Sequence, residues 1–162
     1  LEDRDDYESL ANYVDQLRDM MVDITIIDIK LANENLSYGQ ASIQYSEILK
    51  NADLMIPKIE TLDVKTRNAL IKQNIQIIVS NDIALYLQFM INGLEKQDSA
   101  SINDASLWKK SMMQTYSAIN EEMLDLANRI HREDDDFFSW ELEEEVSRKD
   151  KSAVLKERDE SE

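Results

Sequence analysis

Hydrophobic residues recur every three or four positions along most of this chain. Because an α-helix completes a turn in about 3.6 residues, this spacing places them on one helix face. In the first segment, which spans about residues 3–38, Gly39 follows the last periodic residue and is a candidate C-cap. The recurring residues there are Leu10, Tyr13, Leu17, Met20, Ile24, Ile27 and Leu31.

Three more segments continue the pattern, over about residues 40–62, 61–97 and 101–132. The second contains Pro57, where we expect a kink or a break, because proline lacks a backbone donor and crowds the preceding turn. With only two glycines and one proline, the chain has few turn signals, so its elements must be few and long. The sequence therefore predicts an all-α fold, an antiparallel up-down bundle of about four long helices.

The composition changes after Arg132, where acidic residues become dense. We predict a helical bundle over residues 1–132 and an acidic, aromatic-containing C-terminal extension over 133–162. Pairs such as Glu144 with Arg148 are spaced to stabilise a helix, so helix is expected to continue to about Lys151.

The net charge of −16 restricts the classes of partner. Nucleic acids and anionic membranes are polyanions, so direct binding to nucleic acid is not expected, whereas a basic protein partner is compatible with this charge. The most apolar stretch, 75–91, is interrupted by polar residues, which argues against membrane insertion. Because the chain begins with Leu1 rather than Met, we expect that a preceding segment was removed, which favours a secreted or membrane-tethered protein.

Residues for catalysis and metal binding are scarce. The absence of cysteine excludes disulfides, thiolate nucleophiles and Cys-ligated zinc. A carboxylate-bridged dimetal site in a helical bundle needs two Glu-x-x-His pairs, and His131 is the single histidine. We predict no catalytic residue, no metal ligand and no cofactor, and therefore a protein that is not an enzyme.

The third segment is nearly free of charge, since Asp82 is its only charged residue between Gln73 and Leu94. Charged residues are depleted in the cores of interfaces, which makes this helix a candidate for binding a partner or a second copy of the chain. The alternatives are a central helix covered by the others, or a ligand cavity near Asp82 and the Pro57 kink. The candidate partner-binding residues here are Gln73, Gln76, Ser80 and Gln88.

A second candidate surface lies in the extension, where acidic residues flank bulky apolar ones. Aromatic side chains fill pockets on a partner, and acidic side chains attract a basic one. Alternatively, Phe137 and Trp140 cover the end of the bundle core. The candidate binding residues of the extension are Phe137, Phe138, Trp140 and Leu142.

These features favour a non-catalytic helical-bundle module for protein–protein interaction, consistent with the soluble part of a secreted or membrane-tethered protein. One alternative is a ligand-sensing four-helix bundle, in which a small molecule shifts one helix against another. Another is an acidic inhibitor that mimics nucleic acid. The charge is distributed over several helices and the extension rather than on one face, which ranks the inhibitor last.

Overall fold

A computed structural model describes the backbone of residues 2–161 and the side chains of residues 3–133 and 144–149. Every secondary-structure element in this part of the chain is helical, which confirms the predicted all-α class. The antiparallel four-helix arrangement stays a prediction. The elements are α1 (Glu2–Ala32), α2 (Tyr38–Glu60), a 3₁₀ turn (Thr66–Asn68), α3 (Ala69–Ile77), a π-helical segment (Ile78–Ile83), α4 (Ala84–Lys96) and α5 (Ser99–Ser161).

The connection between α1 and α2 corrects the predicted role of Gly39. Glu34 takes the left-handed conformation after α1, with a φ of 58°, and the Asn35 N–H donates to the Lys30 carbonyl at 2.8 Å. Gly39 instead lies in the first turn of α2, and its φ is not positive. α2 begins at a capping box, in which Ser37 and Gln40 each accept a hydrogen bond from the backbone N–H of the other.

The helix does not break at Pro57, since α2 continues through it to Glu60, and the predicted alternative of a kink stays a prediction. The proline lies in the last turn, so it removes one backbone donor close to the point where the helix ends anyway. Thr61, the first residue of the predicted third segment, is instead the C-cap of α2, and its N–H donates to the Pro57 carbonyl at 3.3 Å. The third helical run therefore begins later than predicted, after the 3₁₀ turn.

The core is formed by the apolar faces of successive helices. Leu17 and Ile24 of α1 are fully buried, as are Tyr45 and Ile59 of α2 and Ile75 of α3. α2 packs against both α1 and α4, and α1 also contacts α3. The periodic residues of the first segment are buried or half-buried as the sequence predicts.

Asn68 joins the start of α1 to the turn before α3. Its side chain is fully buried, and its amide donates to Asp3 at 3.0 Å and to Asp6 at 2.7 Å. The Lys65 backbone N–H also donates to Asp6, at 2.9 Å. These bonds satisfy polar groups that would otherwise be costly to bury.

The chain divides into two compact units, Leu1–Leu124 and Asp125–Glu162, and the boundary falls within α5. In the second unit, the predicted pair Glu144–Arg148 forms at 3.5 Å, and Glu145 pairs with Lys149 at the same spacing, at 3.9 Å. The helix continues to Ser161, beyond the predicted limit near Lys151. The predicted boundary between residues 132 and 133 stays a prediction.

Candidate functional site

The four candidate residues of the third segment lie on the accessible side of the helical run 69–96. Gln73, Ser80 and Gln88 are exposed, and Gln76 is half-buried. Two apolar side chains share this surface, since Leu70 is 56% exposed and Ile77 is 39% exposed. We name this surface the uncharged strip, and its exposed members are Leu70, Gln73, Ile77, Ser80, Asn81 and Gln88.

From Gln73 to Leu94 this surface exposes no charge, because Asp82, the one charged residue there, is buried with 2% exposure. Lys72, which lies between Leu70 and Gln73, is half-buried, and its ammonium donates to the Glu60 and Leu62 carbonyls. Other helices differ: the exposed positions of α1 include Arg18, Asp19 and other charged residues. A chain with a net charge of −16 thus exposes neither acidic nor basic side chains on this helical run from Gln73 to Leu94.

The π-helical segment changes the register of this run. Leu85 and Phe89 follow buried Ile71, Ile75 and Ile78 at α-helical spacing, yet both are only half-buried. Their neighbours one residue further along the chain at the same spacing, Tyr86, Met90 and Leu94, are buried instead. A π-helix bonds residue i to i+5, so the segment adds a residue to its turn and shifts the buried face after it.

Asp82 lies within the π-helical segment and faces α5. Its Oδ1 accepts a hydrogen bond from Ser111 at 3.0 Å, and its Oδ2 accepts one from Thr115 at 2.8 Å. Ser111 and Thr115 are one helical turn apart, which places both hydroxyls on the same face of α5. Asp82 is therefore buried with both of its oxygens accepting hydrogen bonds from α5.

A half-buried carboxylate, that of Asp28 in α1, connects four helices. Tyr45 of α2 and Tyr86 of α4 both donate to its Oδ1, the latter at 2.7 Å. The Lys109 ammonium of α5 donates to Oδ2 at 2.5 Å. The Asp28 side chain is 14% exposed and that of Lys109 is 41% exposed, so the ion pair lies at the edge of the core. We name these four residues the Asp28 cluster.

The two tyrosines of the Asp28 cluster are held as proton donors. Burial raises the pKa of Tyr45 well above its usual range, and the hydrogen bond to Asp28 raises it further. Burial, followed by the negative charge of Asp28, raises the pKa of Tyr86 in the same direction. Their rings meet edge to face, with centroids 6.4 Å apart, and the Lys109 Nζ lies 5.9 Å from the Tyr86 centroid.

A cavity of about 400 Å³ opens beside the Asp28 cluster. The cluster forms its polar side, while Leu31, Met90, Leu94 and Ile102 provide apolar walls. Neither Asp82 nor Pro57 lines it, so this cavity is not at the position that the sequence suggests for a ligand. A second groove, of about 320 Å³, lies between α1 and α2, and its lining includes Met20 and Met55.

The hydrophobic pattern does not predict the Asp28 cluster, although the sequence contains one signal of it. Asp28 follows Ile24 by four residues and precedes Leu31 by three, so it falls within the apolar seam of α1. A charged residue in such a position needs a partner. Nothing in the local sequence identifies Tyr86 and Lys109 as those partners, because they are distant along the chain.

The candidate residues of the extension lie outside the described side chains. Phe137, Phe138, Trp140 and Leu142 belong to the backbone of α5, and their recognition role stays a prediction. Among the described residues, no group of three His, Cys, Asp or Glu side chains is placed to hold a metal ion.

No protein-family model matches this chain, and neither a curated protein nor a solved structure does. By length and composition, the described helices include one that could cross a membrane, Thr66–Lys96. Because 56% of its most apolar window is buried within the structure, the core helix of a water-soluble protein satisfies the same test.

Proposed function

We propose that this chain is a non-catalytic helical-bundle module that binds a protein partner through the uncharged strip. One observation supports the proposal most directly: an exposed helix surface lacks charge in a chain whose net charge is −16. Charge is depleted at the centre of protein interfaces, where desolvating an ion would be costly.

The side chains of the strip suit a partner surface that is neutral at its centre. Each glutamine amide both donates and accepts hydrogen bonds, and Leu70 and Ile77 contribute exposed apolar area. The acidic remainder of the protein attracts positive charge, so the partner we expect has basic residues around a neutral centre. A second copy of the chain has the same net charge, which opposes self-association.

The test compares two pairs of substitutions that add the same positive charge. Gln73→Arg/Gln88→Arg places it on the uncharged strip, and Gln114→Arg/Ser117→Arg places it at exposed positions of α5. Pull-downs from extracts of cells that express the protein use the unmodified chain and both variants, and the retained proteins are compared by mass spectrometry. We expect the retained amount of the specific partner to fall at least tenfold with Gln73→Arg/Gln88→Arg and to stay unchanged with Gln114→Arg/Ser117→Arg.

A third variant, Gln73→Glu/Gln88→Glu, tests the chemistry of the partner. If the partner is basic around its binding surface, the Glu pair reduces binding less than the Arg pair does. A partner retained equally by all variants would show that the strip is not the interface. Self-association in sedimentation experiments that is lost with the Arg pair would assign the strip to a second copy of the chain instead.

A further inference from the structure

The cavity beside the Asp28 cluster shares no residue with the uncharged strip, and it has the construction of a small-molecule site. Its volume of about 400 Å³ is within the usual range for such sites, roughly 300–1,000 Å³. Ligand sites commonly combine apolar walls with a few convergent polar groups. Here Leu31, Met90, Leu94 and Ile102 are the walls, and the Asp28 cluster supplies the polar groups.

The hydrogen bonds of the cluster determine what remains for a ligand. Tyr45 and Tyr86 each use their single proton on Asp28, so their oxygens remain only as acceptors. Lys109 has three ammonium protons and gives one of them to Asp28. The remaining groups for a ligand are therefore the other Lys109 protons and the tyrosine oxygens. A ligand group that accepts a hydrogen bond from Lys109 and donates one to a tyrosine oxygen would match them.

The charges of the cluster already balance each other. The Lys109 Nζ lies 2.5 Å from Asp28 Oδ2, so a ligand anion that approaches the ammonium also approaches the carboxylate. A ligand cation that approaches Asp28 meets Lys109 in the same way. Either charged group would lose its hydration without an unpaired opposite charge to replace it.

We propose that this cavity binds an uncharged amphipathic molecule, with an aliphatic body against Leu94 and Ile102 and a hydroxyl head at Lys109 and the tyrosines. The hydroxyl accepts one hydrogen bond from the ammonium and donates its own proton to a tyrosine oxygen. The ligand itself brings no charged group into the cavity, so discrimination against ionised relatives of the same length follows from the ion pair.

The test uses three probes that differ only in their head group: n-octanol, octanoate and n-octylammonium. Each is titrated into the full chain carrying ¹³C-labelled methionine methyl groups and followed by NMR. Met90 lines the cavity, whereas Met20 and Met55 line the separate groove between α1 and α2 and act as internal controls. The Met90 signal is assigned with Met90→Leu.

Two matched serine variants locate the binding. Ser106 lines the cavity, and Ser117 lies on the same helix away from it; both are exposed. Ser106→Phe narrows the cavity without removing a buried group, and Ser117→Phe adds the same ring elsewhere. Circular dichroism and the thermal midpoint establish that both variants fold.

The expected result is a saturable shift of the Met90 signal by n-octanol, with a Kd at least tenfold lower than for either charged probe. Ser106→Phe should raise the Kd for n-octanol at least tenfold, and Ser117→Phe should change it less than twofold. If Met90 does not respond, or if Ser106→Phe has no effect, the cavity is not the site. Equal or tighter binding of octanoate or n-octylammonium would overturn the proposed ligand class.

Discussion

Asp28 and Asp82 are two largely buried carboxylates that hold α5 against other helices, and they do so with different partners. Asp28, 14% exposed, accepts from two tyrosines and forms an ion pair with Lys109. Asp82, 2% exposed, accepts from two hydroxyls, and no cation pairs with it among the described residues. The negative charge of Asp28 is therefore balanced by a cation beside a cavity. The charge of Asp82, in the π-helical segment, has only uncharged hydrogen-bond donors in the part of the chain that the structure describes.

The partners explain what each site does for the fold. An ammonium compensates the charge of Asp28, and the two tyrosines extend the site into α2 and α4. The hydroxyls that bind Asp82 hold the π-helical segment against α5, which maintains the shifted register of the residues that follow. The Asp28 site lines the cavity of about 400 Å³, and Asp82 does not.

The largest expected effect tests the register change at the Asp82 site. Deleting exposed Asn81 removes one residue from the π turn, and ordinary α-helix then keeps Met90 and Leu94 close to their present orientation. Deleting exposed Gln88 from α4 has no such compensation and rotates both residues by about 100°. We expect the second deletion to lower the free energy of unfolding by about 3–6 kcal/mol, from the lost burial of two side chains.

Urea unfolding followed by circular dichroism measures both deletions. The Asn81 deletion should keep a cooperative transition and lose less than the Gln88 deletion does. Equal losses would show that the π segment does not act as a one-residue insertion in the packing of this run.

The sequence predicts the class of fold well and the sites only in part. The three-and-four spacing of Leu17, Ile24 and similar residues depends on local helix geometry, so long helices are predictable from it. The shift of the buried face after Ile78 is not predictable in this way, because apolar residues in the sequence continue the ordinary α-helical spacing through the π-helical segment. Likewise, the absence of charge around Gln73 and Gln88 is visible in the sequence, whereas the Asp28 cluster depends on packing between distant segments.

The next effect concerns the tyrosines that distinguish the Asp28 cluster. In the folded state their pKa lies above the unfolded value of about 10, so the unfolded chain loses these protons first as pH rises. Their contribution to stability is fully present below about pH 10 and is lost progressively above it. The free energy of unfolding should fall by about 1.4 kcal/mol per pH unit for each tyrosine in that range.

Tyr45→Phe removes one of the two buried phenol groups, so the free energy of unfolding should fall less steeply with pH above about pH 10. Urea unfolding of both proteins from neutral pH to above pH 10 gives the two slopes, and the neutral points serve as the baseline. Parallel curves above pH 10 would contradict the assignment of Tyr45 as a buried donor to Asp28.

The smallest effect compares the aspartates directly, by replacing each with asparagine. At Asp28, the ion pair is lost, because the Lys109 ammonium can only donate hydrogen bonds and an asparagine amide has no negative charge. The amide would present either its own NH₂ donor or an uncharged oxygen to the ammonium. At Asp82, Ser111 and Thr115 can each reverse from donor to acceptor, because a hydroxyl does both. We therefore expect Asp28→Asn to cost about 1–3 kcal/mol and Asp82→Asn to change stability by less than about 1 kcal/mol in either direction. Urea unfolding at neutral pH measures both, and a loss at Asp82 as large as that at Asp28 would mean that the cation is not what separates the two sites.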